Sequence, residues 1–445
     1  MKLMTFGLLT VLLVQTTFAA TRYVWPGGSD SAPYTNWSSA AHSIQAAVSA
    51  AAPGDLVLVT NGAYVLDGQV QITKAITVAS VNGAAGTIVD AGLPARSNRC
   101  FQLNAVNSVL DGFTLINGYV SGASGWPAMC GGGVFCISNT LVRNCIVSNC
   151  AADIGGGAYG HYGGTVSNCL LTRNAAMQVW ARGGGIELRS GGLGIDCAFV
   201  NNIASGTAGG ASCEMGGTLQ RCTVRGNTSL SRGGGIDLFI GGLAENCVIG
   251  DNLAAEEGGG ISLYLTNNVV RGCLVTRNSQ TNAAYNGGGI YAWYGGAIQN
   301  CTVSRNLSAG SGAGIYCGIS SVVYNTIAYL NTPDNLKASG VGLEIAACCT
   351  YPAVSNLYDR GLNITNAPLF AGLLTDFHLL TNSPCINAGT NLPWMAGAVD
   401  LDGNPRIIGS QVDMGCYEVV PEPGCALLLL VGLVGLVRHV RRGGK

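Results

Sequence analysis

The sequence contains little charge. Lys, Arg, Asp and Glu make up only 10% of its 445 residues, and the formal net charge at pH 7 is −1. No basic stripe is available to neutralise phosphates, which argues against nucleic acid as a partner. Hydrophobic residues nevertheless supply 48% of the chain. A chain with that balance is expected to fold rather than to remain disordered.

Regular glycine spacing of the collagen type is also absent. The chain has 67 glycines, but they do not recur at every third position, which excludes a collagen-like triple helix. No 3.6-residue apolar pattern appears in the middle of the chain, so repeats that combine a strand with a helix are not expected.

A glycine triplet followed by a small apolar residue recurs eight times, in steps of 24, 28, 25, 25, 25, 29 and 25 residues. Two copies have alanine in place of one glycine. A nearly fixed period of this size predicts a solenoid. The copies begin at Gly131, Gly155, Gly183, Ala208, Gly233, Gly258, Gly287 and Gly312.

A second motif, Cys-x-apolar-x-x-Asn, keeps step with the glycine triplets. The first copy is one residue shorter, and in the eighth copy Thr326 replaces the cysteine. A degenerate earlier copy runs from Phe113 to Asn117. The full motifs are Cys145 with Asn149, Cys169 with Asn174, Cys197 with Asn202, Cys222 with Asn227, Cys247 with Asn252, Cys273 with Asn278, and Cys301 with Asn306.

We expect the two motif residues to stack in ladders inside the solenoid. Stacked asparagines stabilise in-register strands. Cysteine is commonly a small buried hydrophobe, and this spacing follows the repeat rather than a metal motif. Disulfides and metal binding are therefore the weaker interpretations of the cysteine row.

Each repeat contains two short segments in which apolar and polar residues alternate, as in Ile236–Leu238 and Cys222–Val224. This is the period of a half-buried strand, and the glycines between them supply turns with positive φ. The sequence therefore predicts an all-β fold, a right-handed parallel β-helix with two or three strands per coil. Coils would stack about 4.8 Å apart.

The pairing of the glycine triplet with the Cys…Asn motif resembles the β-helix repeats of the bacterial pectin-lyase-like superfamily. It is also similar to the repeats of chlamydial polymorphic membrane proteins, although the spacing here is longer. The resemblance implies the β-helix fold. The superfamily includes polysaccharide lyases and glycoside hydrolases, and the resemblance implies that any reacting groups lie on the outer face.

The N-terminal end carries a predicted capping helix. Between residues 40 and 52, Ile44, Ala47, Val48 and Ala51 share one helical face. Ser38 or Ser39 could cap its start, and a Pro-Gly pair stops it. Irregular first coils are predicted over residues 56–60, 72–79 and 87–89.

The region before the C-terminal tail loses the repeat period. The segments 376–380, 382–389, 400–406 and 413–418, in this order, resemble the choice-of-anchor Q region found beside C-terminal anchoring signals. Cys385 and Cys416 could form a disulfide in an exported protein or remain free. Asp400-x-Asp402-x-Asn404 fails as a calcium loop, because Pro405 and Gln411 occupy the positions that need glycine and a carboxylate. A tight Asp-Gly turn is the better interpretation.

The first residues predict a signal peptide. Lys2 precedes an apolar stretch over residues 6–14, and small residues lie at Ala19 and Ala20. This pattern is typical of a secretory signal over residues 1–19, and a transmembrane helix is less favoured at this length. The mature chain is expected to leave the cytoplasm.

The last residues contain Val420-Pro-Glu-Pro423, an apolar run over residues 425–437, and a basic tail. A helix of this run would span about 20 Å, less than the roughly 30 Å hydrocarbon core, with the tail on the cytoplasmic side. These three parts resemble the PEP-CTERM sorting signal of Gram-negative bacteria. The residues that match are Pro421, Glu422, Pro423, Arg438, Arg441 and Arg442.

The PEP-CTERM resemblance implies an exosortase-type sorting enzyme as partner. It also implies transient anchoring in the inner membrane and a final place at the outer surface or outside the cell. The predicted segments are a signal peptide (1–19), an N-terminal cap with first coils (20–95), the repeat array (96–345), the C-terminal coils with the choice-of-anchor Q-like region (346–418), and the sorting signal (419–445).

Two rows of side chains after each glycine triplet are expected to face solvent. They include the three carboxylates Glu187, Glu214 and Asp237, which are weak candidates for catalytic acids. Glu187 and Asp237 would be two coils, or about 10 Å, apart, slightly beyond the roughly 6.5–9.5 Å of an inverting pair. A lyase would want a basic residue to abstract a proton, and Arg189 alone is a poor case.

The same rows carry aromatic residues, of which Tyr264, Tyr291 and Trp293 are weak candidates for sugar binding. Stacking between coils is the favoured interpretation of these aromatic residues. No cofactor or metal site is predicted. The sequence favours a non-catalytic exported β-helix protein at the cell surface, adhesive or glycan-binding. The alternative is a secreted polysaccharide lyase or glycoside hydrolase acting on the β-helix face.

Overall fold

The computed structural model describes residues 19–92, 97–122, 125–353, 355, 358–372 and 375–420. They form an all-β, right-handed parallel β-helix with a short helix at its N-terminal end, which confirms the predicted fold class. Residues 1–18 of the predicted signal peptide and the sorting residues from Pro421 onward lie outside the described residues. Among the residues that are described, no helix is long and apolar enough to cross a membrane.

Each full coil passes through four parallel sheets, so the prediction of two or three strands per coil is wrong. After the glycine triplet the chain enters sheet 1, then sheet 2, then sheet 3, and finally a two-residue ladder, sheet 4. Corners between sheets are taken by residues with left-handed φ, such as Asp196 (φ 54°) and Asn246 (φ 49°). Asn and Asp adopt this conformation more readily than other non-glycine residues.

Sheet 1 has eleven strands and sheet 2 has thirteen. The strands of sheet 1 are Val70–Ile72, Phe101–Leu103, Val134–Ile137, Ala158–His161, Ile186–Arg189, Ala211–Glu214, Ile236–Leu238, Ile261–Leu263, Ile290–Tyr294, Ile315–Ile319 and Leu336–Ala338. Those of sheet 2 are Thr21–Val24, Leu56–Val59, Thr77–Ser80, Val109–Asp111, Leu141–Arg143, Thr165–Ser167, Leu193–Ile195, Thr218–Gln220, Leu243–Glu245, Asn268–Arg271, Gly296–Gln299, Val322–Tyr324 and Glu344–Ala346.

Sheet 3 has twelve strands and sheet 4 has eight. The strands of sheet 3 are Gly62–Val65, Thr87–Asp90, Thr114–Ile116, Ile146–Ser148, Leu170–Thr172, Ala198–Val200, Thr223–Arg225, Val248–Gly250, Leu274–Thr276, Thr302–Ser304, Ile327–Tyr329 and Cys349–Thr350. Those of sheet 4 are Tyr119–Val120, Ala151–Ala152, Ala175–Ala176, Ile203–Ala204, Thr228–Ser229, Leu253–Ala254, Ser279–Gln280 and Leu307–Ser308.

The cysteine row lies inside the rod as free, buried thiols, as predicted. The thiol of Cys247 accepts a hydrogen bond from the Cys222 backbone N–H at 3.4 Å. It lies within 3.8 Å of the Leu219 carbonyl in the preceding coil. Thr326 fills the same place at the end of the row, where its Oγ1 accepts from the Cys301 N–H at 3.3 Å. The row therefore serves packing and backbone satisfaction.

The asparagines form the predicted internal ladder, with one exception. Asn252 donates from Nδ2 to the Val224 carbonyl at 2.9 Å, and its Oδ1 accepts from the backbone N–H of Asn227 at 2.9 Å. This pattern extends from Asn174 to Asn331. The inclusion of Asn149 is wrong, because the shorter motif shifts it to an exposed corner and Cys150 takes the internal place.

The capping helix is shorter than predicted and spans Ile44–Ala50. Its N-cap is Ser43, whose Oγ accepts from the Ala46 N–H at 3.2 Å. The expected caps do not act as such, because Ser38 and Ser39 bond to Asn36 in a preceding turn. The predicted apolar face is confirmed, since Ile44, Ala47, Val48 and Ala51 are all buried.

The C-terminal region folds back along the outside of sheet 3. An antiparallel hairpin of Phe370–Gly372 and Asp376–Leu379 packs there, followed by a 3-10 helix at Pro393–Met395. The predicted Asp-Gly turn is confirmed, because Oδ1 of Asp400 accepts from the backbone N–H groups of Asp402 and Asn404. Cys385 and Cys416 are both free, so the structure does not form that disulfide.

One fully buried arginine holds this region together. Arg406 is 0% exposed, donates to the carbonyls of Gly415 and Cys416, and lies 3.2 Å from the Glu418 carboxylate. Burial raises the pKa of Glu418 to about 8. The arginine thus satisfies several buried backbone acceptors.

Replacing Arg406 with methionine is expected to lower the free energy of unfolding of the C-terminal region by about 3–5 kcal/mol, because the buried carbonyls of Gly415 and Cys416 lose their donor and Glu418 loses its cationic partner. Chemical unfolding and limited proteolysis of this region would measure the loss. The double variant Arg406→Met/Glu418→Gln should recover part of it. The control is Arg225→Met, which breaks an exposed pair with Asp251 and should cost less than about 1 kcal/mol. Equal costs for both arginines would contradict the assignment.

Candidate functional site

The outer face of sheet 1 presents two rows of side chains in the predicted register. Glu187 pairs with Ser212, and Ser212 pairs with Asp237. The prediction that the first row is exposed is wrong, because Glu187 is 1% and Asp237 is 0% exposed. The reason lies in the turn that precedes each triplet.

The first glycine of each triplet has a left-handed φ, which folds the preceding residue over the first row. Gly233 has φ 67°, and a Cβ added to it would lie 3.0 Å from the Cβ of Asp237. The residues that precede the triplets therefore lie over the first row, and they include Arg182, Arg232 and Glu257. We call these residues, together with the two rows of sheet 1, the outer groove.

Four charged residues form the centre of the outer groove. Arg182 lies 2.5 Å from Oε2 of Glu214, and Arg189 lies 3.4 Å from the same oxygen. The Glu214 side chain is only 4% exposed. Glu187 stands one coil away on the strand that ends at Arg189. We call Arg182, Glu187, Arg189 and Glu214 the charged centre.

Glu187 is the exceptional member of the charged centre. Its Oε2 is buried without a hydrogen-bond partner. Burial, reinforced by the nearby Glu214 charge, raises the pKa of Glu187 to about 7, although the Ser212 hydroxyl and the charges of Arg182 and Arg189 lower it. A carboxyl group with this pKa can hold a proton near neutral pH and release it, as a general acid must.

The third predicted carboxylate, Asp237, is held by Arg232. The Arg232 Nε lies 3.1 Å from Oδ1 of Asp237. The same guanidinium lies 3.9 Å from the centre of the Tyr264 ring, a cation–π contact. The arginine therefore joins the acidic part of the groove to its aromatic part.

The predicted aromatic residues lie along the next coils but differ in access. Tyr264 and Trp293 are half-buried, whereas Tyr291 is 6% exposed. Tyr291 stacks between Trp293 and Tyr316, with ring centres 6.0 and 5.3 Å apart. Stacking between coils therefore explains Tyr291, while Tyr264 and Trp293 keep part of their rings open to a ligand.

The spacing of carboxylates favours a different pair from that considered first. Glu214 is on the coil next to Glu187 and two residues further along its strand, which places the two Cα atoms about 8 Å apart. Glu187 and Glu214 are therefore closer along the outer face than Glu187 and Asp237, which lie two coils, or about 10 Å, apart.

The arginines Arg182 and Arg232 were missed by the sequence interpretation. Their shared position, the residue directly before a glycine triplet, was the available signal. Within the described ranges, no group of three or more His, Cys, Asp or Glu side chains is arranged to hold a metal ion.

No protein-family model matches the sequence, and no curated protein matches it either. Among solved structures, the chain is similar to pectate lyase Pel9A, with a TM-score of 0.53 and 18% identity over 90% of this chain and 98% of that one. A second similarity is to the catalytic unit of a GH87 alpha-1,3-glucanase from Streptomyces thermodiastaticus, with a TM-score of 0.45 and 15% identity over 68% of this chain and 59% of that one. At such identities the likeness shows the fold alone.

Proposed function

We propose that this protein cleaves glycosidic bonds in an extracellular polysaccharide, with Glu187 as the general acid. The observation that carries the proposal is the buried Glu187 carboxyl, whose pKa is raised to about 7, with Glu214 on the next coil of the same outer face. Burying such a group destabilises a fold, and strain of this kind is typical of active sites. This observation favours the enzymatic alternative over the non-catalytic role that the sequence favoured.

The two carboxyl groups have complementary roles in the proposed reaction. Protonated Glu187 donates its proton to the glycosidic oxygen as the bond to the anomeric carbon breaks. Glu214 accepts a proton from the water that attacks this carbon, so that one water is added across the bond. Arg182 and Arg189 are positioning residues, since they fix the Glu214 carboxylate.

The reaction class is tested by two assays on pectin, alginate and α-1,3-glucan. Hydrolysis produces new reducing ends without an unsaturated product, whereas a lyase produces ultraviolet absorbance with each cleavage. We expect reducing ends only. Unsaturated products would mean that the protein cleaves by elimination rather than by hydrolysis. The absence of any product from all three substrates would contradict the proposal.

We propose that Trp293 supplies a binding platform for sugar rings. In a catalytically inactive Glu187→Gln background, Trp293→Ala should weaken polysaccharide binding by up to about tenfold, because a stacking contact is lost. Affinity electrophoresis would measure this. The control is Trp25→Ala in the N-terminal cap, where Trp25 is 41% exposed. Equal binding by both variants would reject the platform.

Export and surface sorting complete the proposed function. We propose that the signal peptide exports the chain and that an exosortase-type enzyme processes the C-terminal signal after transient anchoring in the inner membrane. Removing residues 420–445 is expected to change the distribution between envelope and medium in cell fractionation. An unchanged location would reject this part without affecting the proposed enzymatic activity.

A further inference from the structure

A cleft of about 370 Å³ opens on the N-terminal side of the charged centre. It is lined by residues of four successive coils and of the loop that precedes the first triplet. We call it the aromatic cleft. Its main lining residues are Trp126, Tyr159, His161, Tyr162, Arg189 and Met215.

Aromatic rings form the walls of this cleft at several angles. The ring of Trp126 meets His161 edge to face at 5.6 Å, and Tyr162 stacks on His161 at 3.7 Å. Trp126 and Tyr162 are 49% and 60% exposed. Large rings held by their neighbours and yet open on one side are typical of ligand sites.

The aromatic cleft also contains an unpartnered polar group. His161 is 7% exposed, and its Nε2 lies 3.1 Å from the Ser190 hydroxyl, but its buried Nδ1 has no hydrogen-bond partner. Burial and the charge of Arg189 lower the pKa of His161, which favours the neutral ring near pH 7. A neutral ring has one donor and one acceptor nitrogen, so a hydroxyl group can satisfy Nδ1 in either tautomer.

Arg189 connects the aromatic cleft to the reacting groups. It lines the cleft, and its guanidinium lies 3.4 Å from Glu214 in the charged centre. His161 pairs with Arg189 in the sheet. The cleft and the charged centre are therefore neighbours on the outer face of sheet 1.

We propose that the aromatic cleft is a subsite for a pyranose ring of the polysaccharide, on the opposite side of Glu187 from Trp293. A pyranose offers an apolar face for Trp126 or Tyr162 and hydroxyl groups for His161. The inference rests on the proposed function and names a second contact for the same substrate.

The distance between the two sugar-binding platforms, the aromatic cleft and Trp293, determines how the enzyme acts. His161 and Trp293 lie five coils apart in the register of sheet 1, or about 24 Å. Only a chain of several sugars can cover both platforms with the charged centre between them. The protein therefore cleaves within chains rather than at their ends.

The test measures binding as a function of chain length in the full-length Glu187→Gln protein. The probes are short and long oligosaccharides of homogalacturonan, alginate and α-1,3-glucan. Affinity should rise with length, and Trp126→Ala and His161→Ala should each reduce the long-chain affinity by about tenfold. Thermal melting would verify that both variants fold, and Trp25→Ala is again the control.

The outcomes separate this inference from the proposed function. If the wild type cleaves a polysaccharide and Trp293→Ala weakens binding, but Trp126→Ala and His161→Ala do not, only the second subsite is rejected. If the wild type cleaves none of these polysaccharides and no oligosaccharide binds, the proposed function fails and this inference fails with it. Release of single sugars or disaccharides from the earliest stage of digestion would overturn the internal mode of cleavage.

Discussion

Replacing Glu187 with glutamine is expected to abolish turnover and, above pH 7, to make the folded protein more stable. Glutamine cannot donate the proton, and losing a general acid typically costs about 10²–10⁴-fold in rate. The same substitution removes a buried charge. Activity and stability should therefore change in opposite directions, as is common when an active-site residue is strained.

The pH dependence follows from the direction of the pKa shift. The folded pKa of Glu187, about 7, is above the ordinary value near 4.5, so the folded chain retains a proton that the unfolded chain has released. Stability therefore falls as the pH rises from about 4.5 to 7, and the full penalty, up to about 3 kcal/mol, is present above pH 7. Glu187→Gln should raise the free energy of unfolding by this order at pH 8 and by little at pH 4.

Turnover of the wild type should also fall as the pH rises through about 7, because the Glu187 carboxyl then loses the proton that it donates. The matched control is Glu245→Gln, since Glu245 pairs with Arg271 at 2.6 Å outside the groove. This control should retain turnover and gain no stability at pH 8. Full activity in Glu187→Gln, or an equal stability change at pH 4 and pH 8, would reject Glu187 as the acid.

The repeated features of this fold could be predicted because each position occurs many times. Cys222 and Asn227 repeat with the coil period, and the period alone gives their alignment. Asn149 shows the limit of that reasoning. One missing residue moved it from the inside of the rod to a corner with φ 53°, and Cys150 replaced it.

The site was less predictable, because its chemistry depends on the path of a turn. Alternation correctly placed Glu187 and Asp237 on the outer face of sheet 1. It could not reveal that the left-handed Gly183 and Gly233 fold Arg182 and Arg232 over these carboxylates. Burial raises the pKa of Glu187 although the charge of Arg182 lowers it, so a residue expected at a solvated strand position becomes a candidate acid.

The C-terminal region shows a third kind of limit. It has no period, and its fold depends on contacts between residues far apart in sequence. The backbone N–H of Cys416 bonds to Thr302 Oγ1 at 3.1 Å, and Asn246 Nδ2 bonds to the Val399 carbonyl. Neither contact has a local signal, so the return of the chain along sheet 3 was not foreseen.

Replacing Asn252 with alanine is expected to lower the free energy of unfolding by about 3–5 kcal/mol, because several buried polar groups lose their partners. The Val224 carbonyl loses its donor, and the backbone N–H and Nδ2 of Asn227 lose the acceptor Oδ1. Each coil of a solenoid contacts mainly its neighbours, so the damage should concentrate in the coils on either side. Chemical unfolding would measure the total, and hydrogen exchange at the Asn227 amide would measure the local opening.

The control for the ladder is Asn149→Ala, because Asn149 is also an asparagine but lies outside the rod. Asn149 donates to Asn117 Oδ1 at 2.7 Å but is exposed, so water can replace the partner. The remaining cost should be about 1 kcal/mol, because alanine tolerates the left-handed φ of 53° less well than asparagine. A similar loss for both variants would mean that general asparagine contacts, rather than burial, account for the effect. A large loss at Asn252 without faster exchange at Asn227 would contradict the local role of the ladder.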